Sequence, residues 1–105
     1  MRYMKNNQAH HVCDMRGFLS FQILWILSKD TMCGDSIANE IGKRRGEKPK
    51  AGTIYPALKY LNENKLIKGE RSGKMVVYTL TENGEKALKK AKKHFMRSFT
   101  DIFTE

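Results

Sequence analysis

Three observations in the sequence predict a mainly α-helical fold carrying one small β-hairpin. Apolar residues at helical spacing recur in three segments before residue 65. Two short strand-like segments follow, on either side of Ser72-Gly73-Lys74. A long lysine-rich segment with a heptad-like apolar seam closes the chain. A length of 105 residues accommodates one such domain but not comfortably two.

Residues 1–13 show no periodicity and read as a flexible arm. Asp14 is a plausible N-cap for a first helix, because Phe18, Leu19, Phe21, Ile23, Leu24, Trp25, Ile26 and Leu27 follow it. A run this dense predicts a helix buried on most sides, ending near Lys29-Asp30. A second helix fits residues 35–45, with Ile37, Ala38 and Ile41 as its stripe. Lys43, Arg44 and Arg45 lie in its last turn, where cations suit the helix dipole, and Gly46 is a natural stop. Glu47 to Lys50 form a charged loop containing Pro49. A third helix fits residues 53–64, where Ile54, Ala57, Leu58 and Leu61 hold the i, i+3, i+4, i+7 pattern of one buried face. Thr53 is its predicted N-cap, which puts Pro56 in the first turn, where a missing N–H costs little. Pro56, Lys59 and Glu63 occupy the face opposite the core, flanked by Tyr55 and Tyr60.

Residues 67–71 and 76–80 read as two strands, with Gly73 marking the turn and Arg71 and Lys74 making its tip basic. Thr81 caps a last helix running to about Phe103. Its seam is Leu88, Ala91, Phe95, Phe99 and Ile102, spaced 3, 4, 4 and 3 as in a heptad; lysines 86, 89, 90, 92 and 93 fill much of the remainder. Three helices, a hairpin and a long helix make a winged helix-turn-helix over residues 14–80 with a C-terminal dimerisation helix over 81–105. A chain this short cannot easily bury the aromatic seam alone. A second copy could, so the pattern predicts a homodimer in which Trp25 joins Leu88, Ala91, Phe95, Phe99 and Ile102.

Charge points to the partner. The net charge is +9, which suits a polyanion such as nucleic acid. Residues 40–75 hold ten Lys/Arg against four acids, a net of +6, so the anion-binding surface is expected there. Lys43, Arg44, Arg45, Lys48 and Lys50 are placed to touch phosphates, which adds affinity without sequence information. Tyr55 and Lys59, one turn apart and off the core face, suit a phosphate, a thymine methyl or a guanine edge.

Other classes find less support. There is no run of about 18 apolar residues, so no membrane span is expected, and the polar N-terminus predicts a cytoplasmic protein rather than an exported one. No phosphate-binding glycine loop, nucleophile elbow or recognisable carboxylate pair suggests an enzyme, and no cofactor is expected. Cys13 and Cys33 read as reduced thiols. With His10 and His11 they are metal-ligand types, but their spacing matches no standard zinc pattern. Two rival readings are a metal- or thiol-responsive sensor and a winged-helix module that works through protein contacts in a transcription complex.

The string Gly52-Thr53-Ile54-Tyr55-Pro56-Ala57-Leu58, followed by Leu61 and Leu66-Ile67, resembles the recognition-helix signature of the PadR family of bacterial and archaeal transcriptional regulators. Ser72-Gly73-Lys74 with Tyr78-Thr79-Leu80-Thr81-Glu82-Asn83-Gly84 is similar to that family's wing and the start of its last helix, and Phe18–Leu27 with Gly34–Ile41 to its first two helices. The resemblance, to the shorter PadR-like proteins, covers about residues 16–100. It implies a dimeric winged-helix regulator, usually a repressor, on a palindromic operator in double-stranded DNA, with a small-molecule effector of unknown identity in some members. It implies DNA contacts from Thr53, Tyr55, Pro56 and Lys59 on the third helix and from Arg71 and Lys74 on the wing, to which their position adds Lys43, Arg44 and Lys50. The chain departs from the pattern at Cys33-Gly34-Asp35, where Ser-Gly-Tyr is frequent, at Lys50-Ala51, where a capping Ser is common, and at Lys65, where Gly is usual.

Overall fold

The computed structural model describes residues 15–104. The N-terminal arm and the cap expected at Asp14 lie outside the described residues. The elements are α1 (Met15–Leu27), β1 (Met32–Cys33), α2 (Gly34–Arg45), α3 (Ala51–Glu63), β2 (Ile67–Ser72), β3 (Met75–Leu80) and α4 (Glu82–Thr104). The sheet is antiparallel in the order β1-β3-β2. The fold is the mainly helical winged helix-turn-helix that the sequence predicts, with a third short strand added to the hairpin.

The density of apolar residues in α1 makes it the centre of the core. Leu19, Ile23, Leu24, Ile26 and Leu27 are all buried, and α2, α3 and α4 each pack against this helix. Ile37, Ala38 and Ile41 from α2 and Ile54, Ala57, Leu58 and Leu61 from α3 close around them, as the spacing predicts. Burying each such side chain stabilises the fold by about 1.5–3 kcal/mol relative to leaving it exposed. α2 stops where expected: Gly46 takes a left-handed conformation (φ 83°) and its N–H donates to the Gly42 carbonyl at 2.8 Å.

α3 starts two residues earlier than predicted. Lys50, not Thr53, is the extended residue before the helix, and its carbonyl accepts from the N–H groups of Thr53 and Ile54 at 2.9 Å each. No side chain caps this end. None is required, because Ala51, Gly52 and Thr53 are exposed and water satisfies the free donors. Pro56 therefore lies one turn deeper than the sequence suggested. It cannot donate to the Gly52 carbonyl, but that carbonyl belongs to an exposed residue and is open to water.

The hairpin pairs Ile67 with Leu80 at its base and Ser72 with Met75 at its tip, leaving Gly73 (φ 65°) and Lys74 as a two-residue turn. β1 pairs Met32 with Tyr78 and Cys33 with Val77. Two residues are too few to show an alternating pattern, so this strand was not predicted.

α4 begins in a tight crossing. The Thr81 hydroxyl accepts from the Gly84 N–H (2.9 Å), the cap predicted for it, and donates to the Lys65 carbonyl (2.7 Å). The Thr81 N–H donates to the Leu66 carbonyl at 3.2 Å. A Cβ on Gly84 would stand 2.0 Å from that same Leu66 oxygen. Lys65, in the link beneath, has φ 62°, a left-handed conformation that costs a non-glycine residue about 1–2 kcal/mol.

Two substitutions test this crossing. Gly84→Ala drives a methyl group into backbone and is expected to destabilise the protein by about 3 kcal/mol, read from urea unfolding. Lys65→Gly relieves the left-handed strain, less the extra freedom glycine gives the unfolded chain, and is expected to stabilise by about 0.5–1 kcal/mol in the same assay.

Candidate nucleic-acid interface

The side of α3 away from the core presents Thr53, Tyr55, Pro56, Lys59 and Tyr60, all exposed, while the other side is buried. Next to its first turn, the α2–α3 loop lies back on α2. The approach is close because Gly42 has no side chain; a Cβ there would be 3.0 Å from the Lys48 Cα. Arg45, Lys48, Lys50 and Thr53 line the resulting depression. On the other side of α3 stands the wing. The ladder register puts Ile67, Gly69 and Arg71 with Val76, Tyr78 and Leu80 on one face, the face whose base is buried in the core. Lys68 and Glu70 pair on the opposite face at 3.5 Å.

Ion pairs divide the cations into two groups. Glu40 receives Lys43 at 3.0 Å and Arg44 at 3.2 Å, and Arg44 also donates to the Glu40 carbonyl at 2.8 Å. These hydrogen bonds, first from Lys43 and then from Arg44, hold the Glu40 carboxyl below the usual glutamate range. The Arg44 guanidinium further lies 4.7 Å from the centroid of the Trp25 ring, which Lys29 also approaches at 5.4 Å. Lys48 reaches Asp35 at 2.8 Å. Among the described residues, Arg45, Lys50, Lys59, Arg71 and Lys74 make no ion pair with an acid. The structure thus gathers Lys50, Thr53, Tyr55, Pro56, Lys59, Arg71 and Lys74 around α3 and the wing, and turns Arg44 toward α1. The sequence reading missed Asp35, Gly34 and Tyr78, which shape this surface through contacts far apart in sequence.

Cys33 sits at the N-terminal end of α2, 3.4 Å from the Ser36 hydroxyl, and hydrogen bonding to Ser36 lowers its thiol pKa. Cys13, His10 and His11 lie outside the described residues. No group of three or more metal-ligating side chains occurs among the described residues, and no helix among them is long and apolar enough to cross a membrane.

The α4 seam splits in two. Leu88, predicted to face a second copy, is 5% exposed and closes this chain's own core. A heptad does not say whether its seam meets its own domain or a partner. Ala91 and Phe95 are half-buried, and Phe95 packs on Phe21 with ring centroids 4.7 Å apart and on Phe99 at 6.0 Å. Beyond them Phe99 (48%), Ile102 (65%) and Phe103 (82%) are exposed. Trp25 is half-buried against the core cluster.

The family model for PadR-like transcriptional regulators matches residues 23–90. The chain belongs to the PadR-like family. This is a family of transcriptional regulators rather than of enzymes, and it implies regulation through DNA binding. Solved structures of transcriptional regulators agree. A PadR family transcription regulator from hypervirulent Clostridium difficile is 31% identical, covers 85% of this chain and all of its own, and superposes with a TM-score of 0.68. A PadR-like transcriptional regulator from Bacillus cereus is 27% identical with a TM-score of 0.75, covering 84% of this chain and 90% of that one. A transcriptional regulator from Clostridium thermocellum is 25% identical with a TM-score of 0.77, covering 84% and 89%. No curated protein sequence matches significantly.

The Glu40 cluster generates a pH prediction. A carboxyl whose pKa is lowered on folding adds stability above its unfolded pKa and loses it as pH falls through the folded value. Because Glu40 is only half-buried and its partners Lys43 and Arg44 are exposed, the effect on stability is small. An NMR titration is expected to place the Glu40 midpoint below the ordinary glutamate range in the folded protein, and Lys43→Ala is expected to move it up.

Proposed function

We propose that the protein is a homodimeric repressor that reads a palindromic operator in double-stranded DNA. The observation that carries this is the exposed face of α3, flanked on one side by Arg45 and Lys50 and on the other by Arg71 and Lys74, four cations around Lys59 and Thr53; neither they nor Lys59 are paired to an acid among the described residues. In this reading α3 enters the major groove, where Lys59 reaches a base edge or a phosphate, Thr53 a phosphate, and the exposed surfaces of Tyr55 and Pro56 pack on the backbone or on thymine methyls. The wing tip follows the backbone or the minor groove. Lys43, which projects from the last turn of α2, adds a weaker phosphate contact in competition with Glu40, and Arg44, held by Glu40 and Trp25, adds less again.

Dimerisation is assigned to the far half of α4. Phe99 and Ile102 are exposed there in a continuous apolar strip with the half-buried Phe95 and Ala91, and Trp25 lies on the neighbouring helix. A second copy covering this strip sets two α3 helices apart, so half-site centres fall about 10 bp apart or at a multiple of that. The winged-helix part, through residue 80, then reads DNA, and the last helix sets the spacing. Repression follows from blocking promoter access in the cytoplasm, and an effector that alters the angle between subunits relieves it.

The test is a mobility shift on the DNA upstream of the protein's own gene, at two salt concentrations, against random competitor. Specific binding that weakens as salt rises is expected; no binding even at low salt overturns the proposal. Lys59→Ala is expected to weaken specific binding by about 1–3 kcal/mol, and Arg71→Ala or Lys74→Ala to weaken binding to all sequences while lowering the log–log salt slope by about 0.9 each. Phe99→Glu, on an exposed residue, is expected to give a folded monomer by sedimentation with operator affinity lost; full affinity in that monomer contradicts the dimer.

A further inference from the structure

The wing has an angle to hold. At its tip it is a two-stranded ribbon, because β1 pairs with β3 only at Tyr78 and Val77. Such a ribbon is not stiff on its own. At its base Ile67 is buried in the core and Leu80 packs against it. Farther out, two tyrosines fill the space beside two glycines. Tyr78 is paired with Gly69 across the ladder. A Cβ on Gly69 would be 2.9 Å from Tyr78 Cε1, so the ring lies over the glycine. The N–H of Gly69 donates to Asn62 Oδ1 of α3 at 3.3 Å, which ties this edge strand to the end of α3. Tyr55 comes from the exposed side of α3, and its ring end rests on Gly34, the first residue of α2. A Cβ on Gly34 would be 2.9 Å from Tyr55 Cε1 and 3.0 Å from its hydroxyl oxygen. Tyr55, Tyr78 and Val76 line one groove between α2, α3 and the wing. Burial, and then the nearby Tyr55 hydroxyl, raise the Tyr78 pKa.

We propose that Tyr55 is a positioning residue: seated on Gly34 and beside Tyr78, its ring is a strut that fixes the angle between α3 and the wing, so that both engage one stretch of DNA in register. The strut rests on the DNA-binding reading above and gives Tyr55 its main effect through the wing, not through its hydroxyl. A binding surface tolerates little misplacement of its parts, on the order of 0.5 Å. A ring held by a missing side chain sets such a distance without adding a charge or a donor. Gly34 then matters to DNA binding although it has no group with which to touch a base.

Tyr55→Phe, Tyr55→Ala, Gly34→Ala and the double variant Arg71→Ala/Lys74→Ala test this, each checked for folding by circular dichroism. Gly34→Ala pushes only on the far end of a side chain that can swing aside, so it is expected to fold. Two readouts are used: the salt dependence of binding to a duplex that the wild type binds specifically, and hydrogen exchange of the amides of residues 73–77 in the DNA-free protein. Tyr55→Phe, which keeps the ring, is expected to bind more tightly than Tyr55→Ala and to keep the wild-type wing-tip exchange. Tyr55→Ala and Gly34→Ala are expected to lose about 2 from the log–log salt slope, as the Arg71→Ala/Lys74→Ala pair does, because the wing no longer meets its phosphates. Both are expected to exchange the wing-tip amides about tenfold faster without DNA. Tyr55→Phe binding as weakly as Tyr55→Ala overturns the strut, since the hydroxyl would then be the DNA contact. Wild-type slope and wild-type exchange in Gly34→Ala overturn it too. If the wild type binds no duplex, the DNA-binding reading falls, and the exchange experiment alone decides the strut, with unchanged wing exchange in Tyr55→Ala and Gly34→Ala as the contradicting result.

Discussion

The start of α4 crosses the link between α3 and β2 so closely that a side chain at Gly84 would overlap the Leu66 carbonyl. Thr81 adds hydrogen bonds to the carbonyls of Lys65 and Leu66. This short stretch joins α3 and the wing, the surface proposed to meet DNA, to the helix that carries the exposed apolar strip. A dimeric reader needs that joint to be stiff, because the separation of its two α3 helices is set through α4. A flexible joint would let the two helices find their grooves one at a time and would lose the spacing selectivity that a palindrome requires. The left-handed Lys65 shows that the chain tolerates some strain to keep the crossing.

Electrostatics on the reading face are selective in a second sense. A net charge of +9 favours approach to any polyanion. Not every cation is equally available, however. Glu40 holds Lys43 and Arg44, and Asp35 holds Lys48, in exposed pairs that contribute little to stability. Their larger effect is on where positive charge is presented. Among the described residues it leaves Arg45, Lys50, Lys59, Arg71 and Lys74 around α3 and the wing without an acidic partner, and likewise Lys86, Lys89, Lys90, Lys92, Lys93 and Arg97 along α4.

Much of the fold was legible because it is local. Ile54, Ala57, Leu58 and Leu61 repeat with the helical period, Gly46 supplies a left-handed stop, and Thr81 supplies a cap; each needs only its near neighbours. The features that were not legible depend on contacts between distant segments. The start of α3 moved from Thr53 to Ala51 because an exposed first turn needs no side-chain cap. β1 forms only because β3 is already there to pair with it. Leu88 has the spacing of an interface residue, yet α1 lies beneath it and takes it into the chain's own core. At the candidate site, the cations and the exposed face of α3 could be read from the sequence. The seat of Tyr55 on Gly34 and the lien of Glu40 on Lys43 and Arg44 could not, the first because it is non-local, the second because spacing permits a pair without requiring it.

The most direct measurement is a hydroxyl-radical footprint of the wild-type protein on a duplex it binds specifically. Two α3 helices held apart by paired α4 helices predict two protected blocks related by a two-fold axis, on one side of the duplex, with centres about 10 bp apart or a multiple of that. A single protected block with no symmetry mate, or protection spread evenly along the DNA, would contradict the account.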